Sequence, residues 1–323
     1  MRTHPISVRL GSAAILALSL GGCSASDYSA PIATFADATT AAESALSDLN
    51  KTVTGEYTEF LSQQARTNPR LVVKAADNEC ELGSERCRVA IIDPANPDKP
   101  GIFPPDPLLG NMVVVMHDID VYAQNLAALV ADDSAAKAEA DVNSALGSVE
   151  HLANTVAKAD GKPAGTVPNF ATPVGAGVNW LVGEYANQVK LAGLRTATRK
   201  ADPVIQRAAD LFKNAAIFGS DPQRAALVKS FRERIDAYQD DQSSETKLNA
   251  AVNAAKTYDD LLQSKPGETF QAMGEAHAAL TKALNDASLS WPQVFAKIKS
   301  FAAKAQELAK IAKGLAALTE GNP

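Results

Sequence analysis

Aromatic side chains make up only 6% of this 323-residue chain, and only three of its residues are cysteine. So few rings exclude a core built on Phe, Tyr and Trp, although 46% of the residues are apolar. Alanine supplies much of that apolar content, and alanine is the strongest helix former and lets helices approach closely. Three cysteines are too few for a disulfide scaffold. Also missing are the Gly-x-Ser-x-Gly elbow, the phosphate-binding Walker loop, the dinucleotide fingerprint and the Cys-x-x-Cys-His haem motif. No pair of histidines stands at His-x-x-x-His spacing, and no Glu-x-x-His pair builds a di-iron site. The expectation is a protein without a metal, without a cofactor and without catalytic activity. Basic residues are also short, 31 against 37 acids for a net charge of −6, which argues against nucleic acid as a partner. After residue 22 no apolar run is expected to cross a membrane, and no fixed-period repeat supports a solenoid.

What is present begins at the front. Arg2 and Arg9 flank a stretch without acids, Leu10 to Leu20 is apolar apart from small residues, and Gly21-Gly22 precede Cys23. A basic start followed by a short apolar run is a secretory leader, too short to span a bilayer. Leu20-Gly21-Gly22-Cys23 resembles the lipobox of bacterial lipoproteins. The resemblance covers only the first two dozen residues, and it implies removal of residues 1–22 and a diacylglyceryl group on the Cys23 thiol. More than one acyl chain makes such attachment stable. By the same resemblance Ser24 implies sorting to the outer membrane in preference to the inner one. If Cys23 is lipidated, Cys80 and Cys87 remain, and an exported chain meets an oxidising compartment in which they can pair. A loop that short contributes roughly 2–2.5 kcal/mol.

The mature chain then divides into a tether over residues 23–31 and one helical domain over residues 32–323. Phe35, Ala42, Leu46, Leu49, Val53 and Phe60 lie on one helix face. After Asn68-Pro69 the character changes over about residues 66–110. Leu71-Val72-Val73 and Arg88 to Ile92 are short β-branched runs either side of the cysteines, a pattern for a hairpin clipped by a disulfide. Pro94 to Pro107 holds six prolines, which excludes helix interior. An excursion of this size between helices is often functional, and Pro94, Pro97, Pro100, Phe103, Pro104 and Pro105 are its candidate partner-facing residues.

Helical periodicity resumes at Asn111, with a kink or an end at Asp132-Asp133-Ser134 and a stop at Gly161. Pro163 to Gly183 carries no charge over 21 residues, but seven are Gly or Pro, against a lipid-exposed helix. Asp202-Pro203 has the form of an N-cap followed by proline at the first helical position. Later seams include Leu248, Val252, Ala255 and Leu262, then Phe270, Met273, His277, Leu280 and Leu284. The acidic first helix and the lysine-rich last one are expected side by side. His277, on an apolar seam, has the position of a hydrogen-bonded core histidine. His117 beside Asp118 and Glu150 beside His151 have the pattern of solvated faces.

The expected fold is all-α, an elongated multi-helix bundle with coiled-coil-like packing and a small disulfide-clipped β-hairpin and proline-rich insertion. The expected function is that of a lipid-anchored cell-envelope lipoprotein, a non-enzymatic binding or structural module. Its partners would be the membrane, through its lipid, and an envelope protein or a second copy of itself. One alternative is a membrane-active protein resembling the α-helical pore-forming toxins, with Pro163–Gly183 as a concealed insertion element. A third is a cofactor- or metal-binding bundle.

Overall fold

The apolar seams fold as packed helices in the computed structural model, which describes residues 25–75, 89–95, 97–98, 101–103, 108–131, 135–162, 182–215, 221–263, 265–286 and 289–320. Among them are eight α-helices and three strands: α1 (Ser29–Thr67), β1 (Val72–Ala75), β2 (Val89–Ile92), β3 (Gly101–Phe103), α2 (Leu108–Ala131), α3 (Ala135–Ala159), α4 (Val182–Phe212), α5 (Asp221–Asp240), α6 (Glu245–Gln263), α7 (Pro266–Asp286) and α8 (Trp291–Glu320). The protein is therefore mostly α-helical.

Six helices close a ring in the order α1, α2, α3, α4, α7, α8 and back to α1. Cross-helix pairs fix their directions. Gln124 of α2 bonds Thr40 while His117 lies beside Glu43, so α1 and α2 are antiparallel. Asp118 faces His151 and Asn125 bonds the Ser144 carbonyl, so α2 and α3 are antiparallel too. By contrast Gly193 meets Val142 and Arg207 meets Asp160, which makes α3 and α4 parallel. The end of α3 and the start of α4 therefore lie at opposite ends of the ring. Most of the uncharged Pro163–Gly183 stretch lies outside the described residues. Gly161 closes α3 with φ +72° and the Lys162 N–H bonded to the Ala157 carbonyl, a left-handed helix stop that glycine adopts without strain.

The ring's near end is set by a 3-10 turn, Ala25–Tyr28, inside the stretch expected to be tether. The Ala25 N–H donates to Asn187 Oδ1 at 2.7 Å, and the Tyr28 ring meets Trp291 edge-on at 4.8 Å. From there α1 runs 39 residues, about 58 Å. Phe35, Leu46, Leu49, Met116, Ile119, Tyr122, Phe270, Ile298 and Phe301 are fully enclosed within the ring. The far end is different. There α5 and α6 pair with each other, α5 against α1 and α6 against α8.

Several expectations change. The hairpin is a three-stranded antiparallel sheet in the order β1-β2-β3. The two β-branched runs pair as expected, Val72 opposite Ile92, but β3 lies within the proline-rich stretch and pairs Phe103 with Val89. Cys23, Cys80, Cys87, Pro100, Pro104 and Pro105 lie outside the described residues, and with them the disulfide. Asp202-Pro203 does not open a helix, because α4 continues through it. Ala201, Ile205 and Ala208 on either side are wholly buried, so packing outweighs the bond that Pro203 cannot give to the Arg199 carbonyl. The α6 seam turns outward: Leu248 and Val252 are 39% and 57% exposed, while Ala254 and Leu261 are buried. Helix α2 has the length and hydropathy to cross a membrane, contrary to the expectation, yet its seam lies in the ring core. Helices α1 and α8 do pack together, through Phe35 and Phe301 at 5.7 Å. Lys297 and Lys304, however, pair with Glu275 and Glu268 of α7.

Candidate functional site

The sheet projects from the far part of α1, and two side chains of that helix hold it. The Tyr57 hydroxyl accepts the Ile102 N–H at 3.0 Å. Leu61 lies so close to Gly101 that a Cβ there would sit 2.7 Å from Leu61 Cδ2, so a larger residue would require the Leu61 side chain to shift. Tyr57, Leu61 and Ala226 form a small second core, with Phe60 and Ile91 packed against it. Burial raises the Tyr57 hydroxyl pKa above its ordinary value, with the Ile102 N–H acting in the opposite direction. Counting from Ser29, Tyr57 stands about 42 Å along the helix.

Residues two apart share a face of a strand, and paired residues share a face of the sheet. Val73, Val89, Ile91 and Gly101 therefore lie on one face. Ile91 and Gly101 reach α1, whereas Val73 and Val89 extend beyond it and are 60% and 38% exposed. On the opposite face Val72 is 49% exposed. All four residues of β1 are exposed, and β1 is an edge strand. Such an edge presents backbone donors and acceptors that another extended chain can pair with. Pro94 and Pro97 are exposed in turns after β2, and Asp93 Oδ1 holds the first turn by accepting the Ala95 N–H at 2.9 Å. Phe103 ends β3. The proline pattern located this region, and among its described residues Val72, Val73 and Val89 are large apolar side chains left exposed.

A second polar assembly lies inside the ring. His277 is wholly buried, with Nε2 3.0 Å from the Tyr122 hydroxyl and Nδ1 3.0 Å from Asp202 Oδ1. An ionised carboxylate only accepts, so Nδ1 carries a proton toward Asp202, and in the neutral ring Nε2 accepts from Tyr122. Gln206 Nε2 donates to the Gly274 carbonyl at 2.8 Å and to Asp202 Oδ1 at 3.3 Å. Burial pushes the Asp202 carboxyl up, but the hydrogen bond and charge of His277, with Gln206, outweigh it and leave its pKa lowered. Tyr122 is raised well above its ordinary value, first by burial and then by the Asp202 charge. The core position expected for His277 is present, and its Asp202 partner is the residue that resembled an N-cap.

The other described histidines, His117 and His151, pair across helices. His151 Nδ1 stands 3.0 Å from Asp118 Oδ2, and His117 Nδ1 stands 3.7 Å from Glu43. Asp118 is only 5% exposed, which corrects the solvated face expected for it. Its Oδ2 lies within ion-pair distance of His151 but lacks an oriented hydrogen bond. Among the described residues no group of three or more His, Cys, Asp or Glu is placed to hold a metal. No family model matches the chain, and neither a curated protein nor a solved structure matches it.

Proposed function

We propose that the chain is a lipid-anchored lipoprotein of the bacterial envelope that binds a partner protein without catalysis, holding its sheet away from the membrane. The observation that carries this is the exposed Val72–Val73 edge, fixed to the far part of α1 by Tyr57 and Leu61. An anchor at Cys23 would lie two residues before Ala25, where the near end begins. The continuous α1 then acts as a strut that keeps β1 some 40 Å from the bilayer. Outer-membrane placement follows from the leader and Ser24. The partner contributes an extended segment alongside β1, with apolar side chains over Val73 and Val89. The finer form of the fold, an elongated bundle with a clip between Cys80 and Cys87, fits this role, because the clip would stiffen the turn between β1 and β2.

The test combines two variants of the full chain in cells. Cys23→Ser should release the protein from the membrane fraction. Val73→Asp should leave it there but abolish co-purification of its partner. Membrane association that survives Cys23→Ser contradicts the anchor, and an unchanged set of co-purified proteins with Val73→Asp contradicts the binding surface.

The alternative of a membrane-active protein has one observation in its favour, the length and apolarity of α2. It requires α2 or Pro163–Gly183 to leave the fold and enter lipid. Dye release from anionic vesicles would support it, and vesicles left intact by protein that binds them would exclude it. A metal- or haem-binding bundle would show itself by elemental analysis and an absorption spectrum.

A further inference from the structure

At the far end α5, α6 and α8 enclose an open cleft of about 400 Å³, within the range of small-molecule sites. Its floor is small and apolar, formed by Ala250, Gly314, Ala317 and Ile311. Gly314 lets the helices close up, since a Cβ there would sit 3.3 Å from Thr257 Cγ2. Its walls are basic. Lys256 of α6, Lys310 of α8 and Arg234 of α5 line the cleft. Both lysines are exposed. Asn253 and Thr257 add hydrogen-bonding groups, and the acid among the described lining residues is Asp260. On the same helix as Lys310, Lys297 pairs with Glu275, and Lys304 with Glu268 and Glu307. A net-acidic chain thus gathers three cations around an apolar floor.

We infer that this cleft binds an anionic amphiphile, its alkyl chain on the Ala250–Gly314–Ala317 floor and its phosphate or carboxylate between Lys256 and Lys310. The site is separate from the sheet and does not depend on it or on the anchor. A carboxylate or phosphate between two ammonium groups accepts charge-assisted bonds from both, and the small floor residues leave room for methylenes that a bare anion would not fill. Asp260 opposes the headgroup, so its removal should tighten binding.

Titration calorimetry of the full chain carrying Cys23→Ser tests this with four probes below their micelle concentrations: dodecyl phosphate, dodecanoate, dodecyl maltoside and inorganic phosphate. The charged amphiphiles should bind, and the neutral maltoside and inorganic phosphate should each bind at least about tenfold more weakly. The preference between dodecyl phosphate and dodecanoate names the headgroup. Lys256→Glu with Lys310→Glu should weaken dodecyl phosphate by about tenfold or more without changing the melting temperature, because both side chains are exposed. Ala317→Trp should block the floor, and Asp260→Asn should tighten binding. Equal binding of dodecyl maltoside, equal binding of inorganic phosphate, or unchanged binding by the double-lysine variant would each overturn the assignment.

Discussion

Helices α7 and α6 are nearly the same length but have different surroundings. Helix α7 buries Phe270, Met273, His277, Leu280 and Leu284 between α4 and α8, whereas α6 buries only Ala254 and Leu261 among its described side chains. In α7 the apolar seam lies against partners on both sides. The apolar row of α6, Leu248 and Val252, faces solvent, and that helix packs mainly on α5 and α8. An amphipathic pattern therefore marks a helix without saying whether its apolar face is covered by the same chain. The ring carries the stability of the fold, and the far end carries its exposed apolar and basic surfaces.

The largest expected effect lies in the ring. His277→Leu leaves Asp202 and the Tyr122 hydroxyl without their shared partner, and it should cost about 3–5 kcal/mol in urea unfolding. A loss near zero would mean that the buried assembly is not a structural link between α2, α4 and α7. Next comes Gly267→Ala. A Cβ at Gly267 would press into the backbone of Phe212 and Lys213 where α7 begins against the end of α4. Because backbone cannot step aside as a side chain can, about 1–3 kcal/mol should be lost. His151→Ala should cost about 1–2 kcal/mol, since it leaves the buried Asp118 carboxyl without its neighbour across the helices. At the far end Leu248→Ser should change stability by less than about 0.5 kcal/mol, and amide exchange in α6 should be faster than in α7.

Stability against pH sharpens the same contrast. Asp202 has a lowered pKa in the fold, so its contribution is fully present above the ordinary carboxylate value near 4 and is lost as pH falls through the folded value. Tyr122 is raised, so its neutral form favours the fold, and stability should decline as pH rises past about 10. Urea midpoints should therefore fall at both extremes, and Asp202→Asn should flatten the acid side. An acid limb unchanged in that variant would show that other carboxylates control it.

Much of the ring was legible in the sequence because its helices carry unbroken seams. Phe35 to Val53, Val115 to Leu129 and Phe270 to Leu284 each recur at helical spacing, and each lies in the core. The Asp202-Pro203 pair misled because it carries a helix-start signal, while what overrides it, the burial of Ala201, Ile205 and Ala208, depends on helices distant in sequence. Asp118 misled for a similar reason, since its burial depends on the packing of α2 against α3. The sheet was half visible: β-branched runs marked β1 and β2, but Gly101-Ile102-Phe103 amid prolines had no strand pattern, and what fixes it is the Tyr57 hydroxyl of another element. The basic cleft had no local signal at all, because Arg234, Lys256 and Lys310 come from three helices.

The most direct test places a photoreactive amino acid at Val73 and, in a separate strain, at Val121, an exposed apolar position on the ring that is 40% accessible. Irradiation in cells should give a discrete adduct with a second envelope protein from position 73, absent from position 121 and lost when Val89→Asp is added. The same adducts from both positions, or adducts from position 73 containing only this chain or lipid, would contradict the account.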